Sequence, residues 1–388
     1  MHTTPSEPFG QRSGAPVGQR AIDPGIPAMR PARRGTGSLV PLIVLIGLVF
    51  VFLLVLGYLA ASLGPGAVIV CGLAALVPLG FVVAGAAWVD RWEPEPRLAV
   101  LTAWLWGAAA SVALTLLIQL PLVIASGGNG DEFIESVVSA PIIEESTKAI
   151  GLALIFLIWR RTFDGPIDGI VYGMIIGAGF AFTENILYFG DALLNGDAML
   201  FTATFFTRGL LSPFAHAMFT AGTGFAMGLA VTRGRPVALW GVAGLGLAAL
   251  LHFLWNLSTF IDFYGLYVLI QMPLFAACIV LITFLRRSER RRTEERLLEY
   301  AEAGWFSRNE VWLVATKPGR AQLRAWAETR GPGGTRAAKH FVRDMTALSA
   351  VRDRVHASGG RDRAVQREAE LLAAITQTRQ GLFFGASA

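Results

Sequence analysis

Seven ionisable side chains, Glu144, Glu145, Lys148, Glu184, Arg208, His216 and His252, lie inside long apolar stretches of this chain. Charge at membrane depth is expensive, and by default it marks a functional site. Five of the seven are carboxylates or imidazoles, the groups that do acid–base work and ligate metals. The fourth apolar stretch contains APIIEESTKA. Glu144 and Lys148 are four residues apart and Glu145 and Lys148 three, so the ammonium can neutralise one carboxylate while the other stays available. Glu144 and Glu145 stand about 100° apart around a helix, and both face one site only where the helix is irregular. Pro141 offers such an irregularity, because it cannot donate to the carbonyl of Val137.

Three further stretches carry the rest. GFAFTENILYFG holds Glu184 and Asn185, downstream of a ladder of Gly169, Gly173 and Gly177 that lets a neighbouring helix approach closely. SPFAHAMFTAGTG places His216 and Thr220 on one face, three residues after Pro213, and LHFLWN does the same for His252 and Asn256. Counted inward from the expected outer ends, Glu145, His216, His252 and Glu184 fall roughly 9–20 Å deep at 1.5 Å per residue, within one slab of the membrane. Arg208 falls near the outer edge, where it can snorkel, and is left out of the expected site. HExxH does not occur.

The elements that position these groups can be read from composition. The chain has 388 residues, 54% apolar and 16% charged, with a mean hydropathy of +0.53. The expected fold is an all-α polytopic membrane protein with about eight transmembrane helices plus a small cytoplasmic helical domain. The spans are placed near 39–62, 67–89, 98–125, 132–159, 168–190, 205–231, 237–260 and 263–285. Residues 1–37 read as a disordered cytoplasmic tail without a cleaved signal peptide. Residues 38–285 form the transmembrane domain. Residues 286–388 form a cytoplasmic helical domain with amphipathic stretches near 308–330, 336–357 and 361–380, separated by GPGG and SGG. That domain carries no catalytic constellation, and its basic first helix can lie against anionic lipid.

The loops DRWEPEPR, RRTFDGPID and TRGRP are basic, while the alternate loops lack Lys and Arg. The positive-inside rule then puts both termini in the cytoplasm of a multi-pass plasma-membrane protein. The net charge of +5 reports this topology, and no nucleic-acid partner is expected. Cys71 and Cys278 lie singly in apolar runs and read as packing residues.

Glu144-Glu145-x-x-Lys148, Phe180-x-x-x-Glu184, His216 in a span rich in small residues, and His252 together resemble the PrsW family of intramembrane proteases. The loop Asp90…Glu93-Pro94-Glu95-Pro96 is similar too. The resemblance covers about residues 40–285. It implies cleavage of a membrane-anchored protein substrate, such as an anti-sigma factor, on its extracytoplasmic side, and essential roles for Glu144, Glu145 and His216. The related CAAX prenyl endopeptidases carry His where Glu184 stands and Arg one residue beyond Lys148, so prenyl-protein cleavage is not the expected activity.

The expected reaction is peptide hydrolysis, with Glu145 or Glu144 as general base. Glu184, His216 and His252 can hold one Zn²⁺ and leave a position open for water. A metal-free site, with a Glu and a His polarising water and Asn256 or a protonated His stabilising the oxyanion, is equally sound. Lys148, Asn185, Thr220 and Asn256 are expected in support. The alternative to an enzyme is a non-catalytic membrane scaffold, a role that some members of the same superfamily fill, or a proton-coupled transporter.

Overall fold

A computed structural model describes residues 39–384 apart from residues 126, 128, 129, 161 and 359–361. The expected tail, residues 1–37, lies outside the described residues, as does SGG but for its serine. Helices and the turns between them make up the described chain, with no strand among the described residues.

Two apolar helices, α1 (Val40–Leu63) and α2 (Pro65–Val89), open the fold. Gly64, at φ +81, makes the reversal between them, a conformation that suits a residue without a Cβ. The third span joins α3 (Arg97–Leu105) to α4 (Val112–Ala125) through a π-helical segment, Trp106–Ser111. The fourth helix begins with a π-helical segment, Ile134–Ser139, and continues as α5 (Ala140–Ile158). Next come α6 (Pro166–Asn195), α7 (Ala198–Thr204), a π-helical segment Phe205–Leu211, and α8 (Ala215–Thr232). The membrane part closes with α9 (Val237–Ile261), α10 (Phe263–Leu266), a π-helical segment Tyr267–Gln271, and α11 (Met272–Glu302).

Helix α6 is the axis of the bundle. Every residue from 166 to 180 is buried, which is how a helix that is apolar all round must sit. Its glycines allow that burial. A Cβ on Gly169 would lie 1.9 Å from the Gly224 carbonyl oxygen, and one on Gly177 would lie 2.4 Å from that of His216. The ladder therefore brings α6 and α8 into backbone contact at the level of the histidine. By contrast α1 and α2 expose rows of Leu, Ile, Val and Phe, the outward face of helices that meet lipid.

Among the described residues seven helices are long and apolar enough to cross a membrane, against the eight expected. The one that does not qualify is the helix ending in α5. Its length suffices, but Glu144, Glu145 and Lys148 lie together in its middle and lower its apolarity. Contacts at the bundle's end show that it nevertheless runs the length of the bundle. Arg320 lies over the Trp92 ring at 3.5 Å and donates to the Trp92 carbonyl, while Arg354 stands 3.9 Å from Asp164. The loops at 90–96 and 160–165 thus meet one and the same group of C-terminal helices. They share a side only if both helices between them traverse the bundle.

Those C-terminal helices are α12 (Arg308–Ala315), α13 (Lys317–Glu328), α14 (Gly331–Ser358) and α15 (Asp362–Arg379). With the end of α11 they enclose a separate apolar core that includes Leu297, Leu323, Phe341, Leu348 and Ile375. Two expectations differ in detail. The boundary placed at residue 286 falls inside the unbroken α11. GPGG opens α14, with the break between α13 and α14 just before it, and a further break comes at Thr316, whose hydroxyl caps α13 by accepting from the Gly319 amide.

The 90–96 loop is wound inward. Asp90 accepts from the Glu95 amide at 3.0 Å, and the Tyr172 hydroxyl donates to Glu95 at 2.6 Å. Burial pushes the Glu95 carboxyl up to about 8, against the pull of the Tyr172 bond, and the charges of Asp90 and Asp164 add to the rise. Because its folded value lies above its unfolded one, Glu95 favours the folded chain at low pH, and that contribution is lost as pH rises through about 8. Melting measured in detergent across this range should show a falling transition temperature, and Glu95→Gln should flatten the slope. An identical slope in the variant would contradict this.

Candidate functional site

The charged and imidazole groups of four helices converge on Lys148. Its Nζ lies 2.7 Å from Glu145 Oε1, 3.3 Å from Glu144 Oε2 and 3.1 Å from His216 Nδ1. The Phe180 ring closes one side, its centre 3.9 Å from the ammonium. Lys148 is fully buried, and Glu145 and His252 are nearly so. A burial this complete is tolerable only where partners surround the charge.

Both glutamates reach the cluster although they are adjacent in sequence. The helix irregularity that the sequence suggested is a π-helical segment that ends at Ser139, two residues before Pro141 in the same continuous helix, where the missing N–H of Pro141 leaves an upstream carbonyl without a helical donor. His252 then bridges the two acids, Nδ1 lying 3.2 Å from Glu145 Oε1 and Nε2 3.9 Å from Glu144 Oε2. Glu145 is the most heavily engaged of the acids, because Thr220 also donates to its Oε2 at 2.9 Å. The opposite face of α5 is anchored through Thr147. Its carbonyl accepts from the Trp106 indole, and its hydroxyl lies 2.7 Å from that of Ser111.

Glu184 serves the other histidine. Its Oε2 lies 2.8 Å from His216 Nε2 and also accepts from Arg208 Nη2. Arg208 Nε donates to Asn185 Oδ1 at 3.0 Å, and the guanidinium stacks over Tyr188 at 3.8 Å. Arg208, set aside in the sequence as a snorkelling residue, therefore belongs to the cluster. The reason is a boundary: the helical run containing it starts at Ala198, seven residues before the expected end of the span, and carries Arg208 inward. The Glu184–Arg208 end is the more open one, with side chains 16% and 21% exposed, against 0% for Lys148 and Glu145.

The rings of His216 and His252 stand 5.0 Å apart and nearly perpendicular, with Phe219 stacked on His252. Glu144, His216 and His252 are buried, and each offers a ligand atom within 4.8 Å of the others, the one such group of metal-ligating side chains among the described residues. One carboxylate and two imidazoles are a donor set that suits a catalytic zinc ion. The acid in this trio is Glu144, where the sequence had suggested Glu184. Glu184 and Glu145 instead stand behind the histidines, each on the other ring nitrogen, the arrangement that fixes a ligating imidazole. The Asn256 amide donates to the Ser136 carbonyl at 2.7 Å and ties α9 to the start of the fourth helix.

Breaking the Arg208–Glu184 pair should destabilise the bundle. Removing one partner of a fully buried pair costs about 3–5 kcal/mol, and the partial opening here reduces that to about 2 kcal/mol. Arg208→Met should show this loss in denaturant unfolding, with Arg208→Lys recovering only part, since lysine cannot reach Glu184 and Asn185 as a planar fork. Full stability in Arg208→Met would contradict the pairing.

Comparison with known proteins covers the helices that carry these residues. A family described as PrsW family intramembrane metalloprotease matches residues 95–278, a stretch containing every residue of the cluster. Protease PrsW of Geobacillus kaustophilus (strain HTA426) is 35% identical over 153 residues, covering 39% of this chain and 63% of the relative. Protease PrsW of Clostridioides difficile (strain 630) is 30% identical over 157 residues, with 39% and 63% covered. Protease PrsW of Bacillus subtilis (strain 168) is 32% identical over 164 residues, with 42% and 70% covered. The chain thus spans less than two thirds of the first two relatives. No solved structure matches.

Proposed function

This chain belongs to the PrsW family, and from that premise we propose that it is an intramembrane endopeptidase acting on a membrane-anchored protein. The observation that carries the reading is the buried convergence of Glu144, His216 and His252 from three helices, with a second carboxylate behind each histidine. A scaffold needs no such set of acids and imidazoles around one point.

Glu144 is the acid we assign to the metal ion. Glu145 is held by Lys148, Thr220 and His252, and Glu184 by Arg208 and His216, whereas Glu144 has only the longer contact with Lys148 and the approach to His252. It therefore has the spare acceptor capacity that ligation of an ion requires. Glu145 and Glu184 hold the two imidazoles in place. Lys148 and Arg208 offset two of the three carboxylate charges. Glu144, His216 and His252 would hold a Zn²⁺, which when bound lowers the pKa of its water and polarises the scissile carbonyl.

The substrate class that fits is a single-span protein, such as an anti-sigma factor, cut near the extracytoplasmic side of the plasma membrane. The basic loops support a cytoplasmic placement of both termini. The contacts of Arg320 and Arg354 with the 90–96 and 160–165 loops support the reading of residues 286–388 as a cytoplasmic helical domain on the side of those loops. The transmembrane protease domain would then comprise residues 38–285.

The test is cleavage of a membrane-anchored substrate by the full chain reconstituted in lipid. Glu144→Gln, Glu145→Gln and His216→Ala should each reduce the rate by about 10²–10⁴, with a zinc chelator doing the same to the wild type. Undiminished cleavage by the Glu144→Gln/Glu145→Gln double variant would refute the mechanism. Loss of folding in every variant would favour a scaffold instead.

A further inference from the structure

Both ring nitrogens of His216 are engaged. Nε2 lies 2.8 Å from Glu184 Oε2, and Nδ1 lies 3.1 Å from Lys148 Nζ. A lysine ammonium has donors only, so the nitrogen facing it must accept. Nδ1 therefore gives its lone pair to Lys148, and Nε2 carries the N–H that points at Glu184. A metal ion on Nδ1 needs that same lone pair. Lys148 also stands 3.3 Å from Glu144 Oε2, so it touches two of the three candidate ligands. It has no solvent to retreat into, being fully buried beneath the Phe180 ring. Its shortest contact, 2.7 Å to Glu145 Oε1, is with an acid outside the trio.

We infer that Lys148 competes with the metal ion for His216 Nδ1 and Glu144, so that the chain's zinc affinity is set by a lysine that must first give up those two partners and remain on Glu145 alone. This rests on the reading that Glu144, His216 and His252 hold the ion. Two properties of the site support competition. The contacts of Lys148 and those of a metal ion fall on the same donors, and both species are cations answering the same carboxylate charge. Glu145 gives the ammonium an acid that the metal trio does not use, so its charge need not be stranded when the other contacts break. Lys148 would then hold the paired glutamates together and keep the zinc affinity below what one carboxylate and two imidazoles provide by themselves.

The experiment is a zinc titration of the full-length protein in lipid nanodiscs, in competition with a chromophoric chelator. Lys148→Met and Lys148→Gln should bind zinc at least about tenfold tighter than the wild type, while Lys148→Arg, which keeps the cation, should bind no tighter. Equal or weaker binding by folded Lys148→Met and Lys148→Gln overturns the inference and leaves the protease reading standing. If both variants fail to fold, the structure of the zinc-loaded wild type decides. Zinc on His216 Nδ1, with Lys148 Nζ beyond hydrogen-bond reach of that nitrogen, is the expected result. Zinc bound with the Lys148–His216 contact intact overturns the inference. A wild type that cleaves its substrate without binding zinc removes the metal from the proposed function and this competition with it.

Discussion

A single ammonium, fully buried at the centre of a helical bundle, is the constraint on which the rest of this structure depends. Lys148 cannot be solvated where it lies. Taking an ion out of water costs several kcal/mol even after the surroundings relax. Glu145 at 2.7 Å and Glu144 at 3.3 Å answer its charge. Two buried carboxylates then exceed one lysine and need donors of their own, which Thr220 and His252 supply. Glu184 repeats the pattern with Arg208 and His216. The polar network is therefore continuous across four spans, and its parts stand or fall together.

Packing makes that network possible. Gly169, Gly173 and Gly177 let α8 approach the α6 backbone closely enough for His216 to reach Glu184. π-helical segments precede both α5 and α8, the helices that contribute Glu144, Glu145, Lys148 and His216. Such segments rotate the residues C-terminal to them relative to an ideal helix and are frequent at functional sites. The apolar exterior of α1 and α2 and the buried polar interior thus belong to one design, in which lipid-facing helices shield charges that lipid itself would not accept.

How far the sequence revealed this depended on the physical quantity involved. Depth was legible: the spans could be located by hydropathy, and Glu145, Glu184, His216 and His252 fell in one slab. The glycine ladder was legible because its spacing has a direct steric meaning. Rotation about each helix was not legible, because it is fixed by neighbours. Hence Glu144 rather than Glu184 lies within ligand distance of both histidines, and Asn256 faces Ser136. Arg208 was misplaced by a span boundary seven residues off, which is enough to move a guanidinium from the surface into the interior. The fourth span is the one that hydropathy recognises least, since the charges that mark the site also lower the apolarity of the helix carrying them.

The central claim is that groups from separate spans form one coupled cluster, and a double-mutant cycle between Glu145 on α5 and His252 on α9 tests it most directly. Unfolding free energies would be measured in one lipid or detergent for the wild type, Glu145→Gln, His252→Gln and the double variant. Residues sharing a buried network should couple by about 1 kcal/mol or more, so that the double variant loses much less stability than the sum of the two single losses. Losses that add to within about 0.3 kcal/mol would place the two residues in separate environments and contradict the single site.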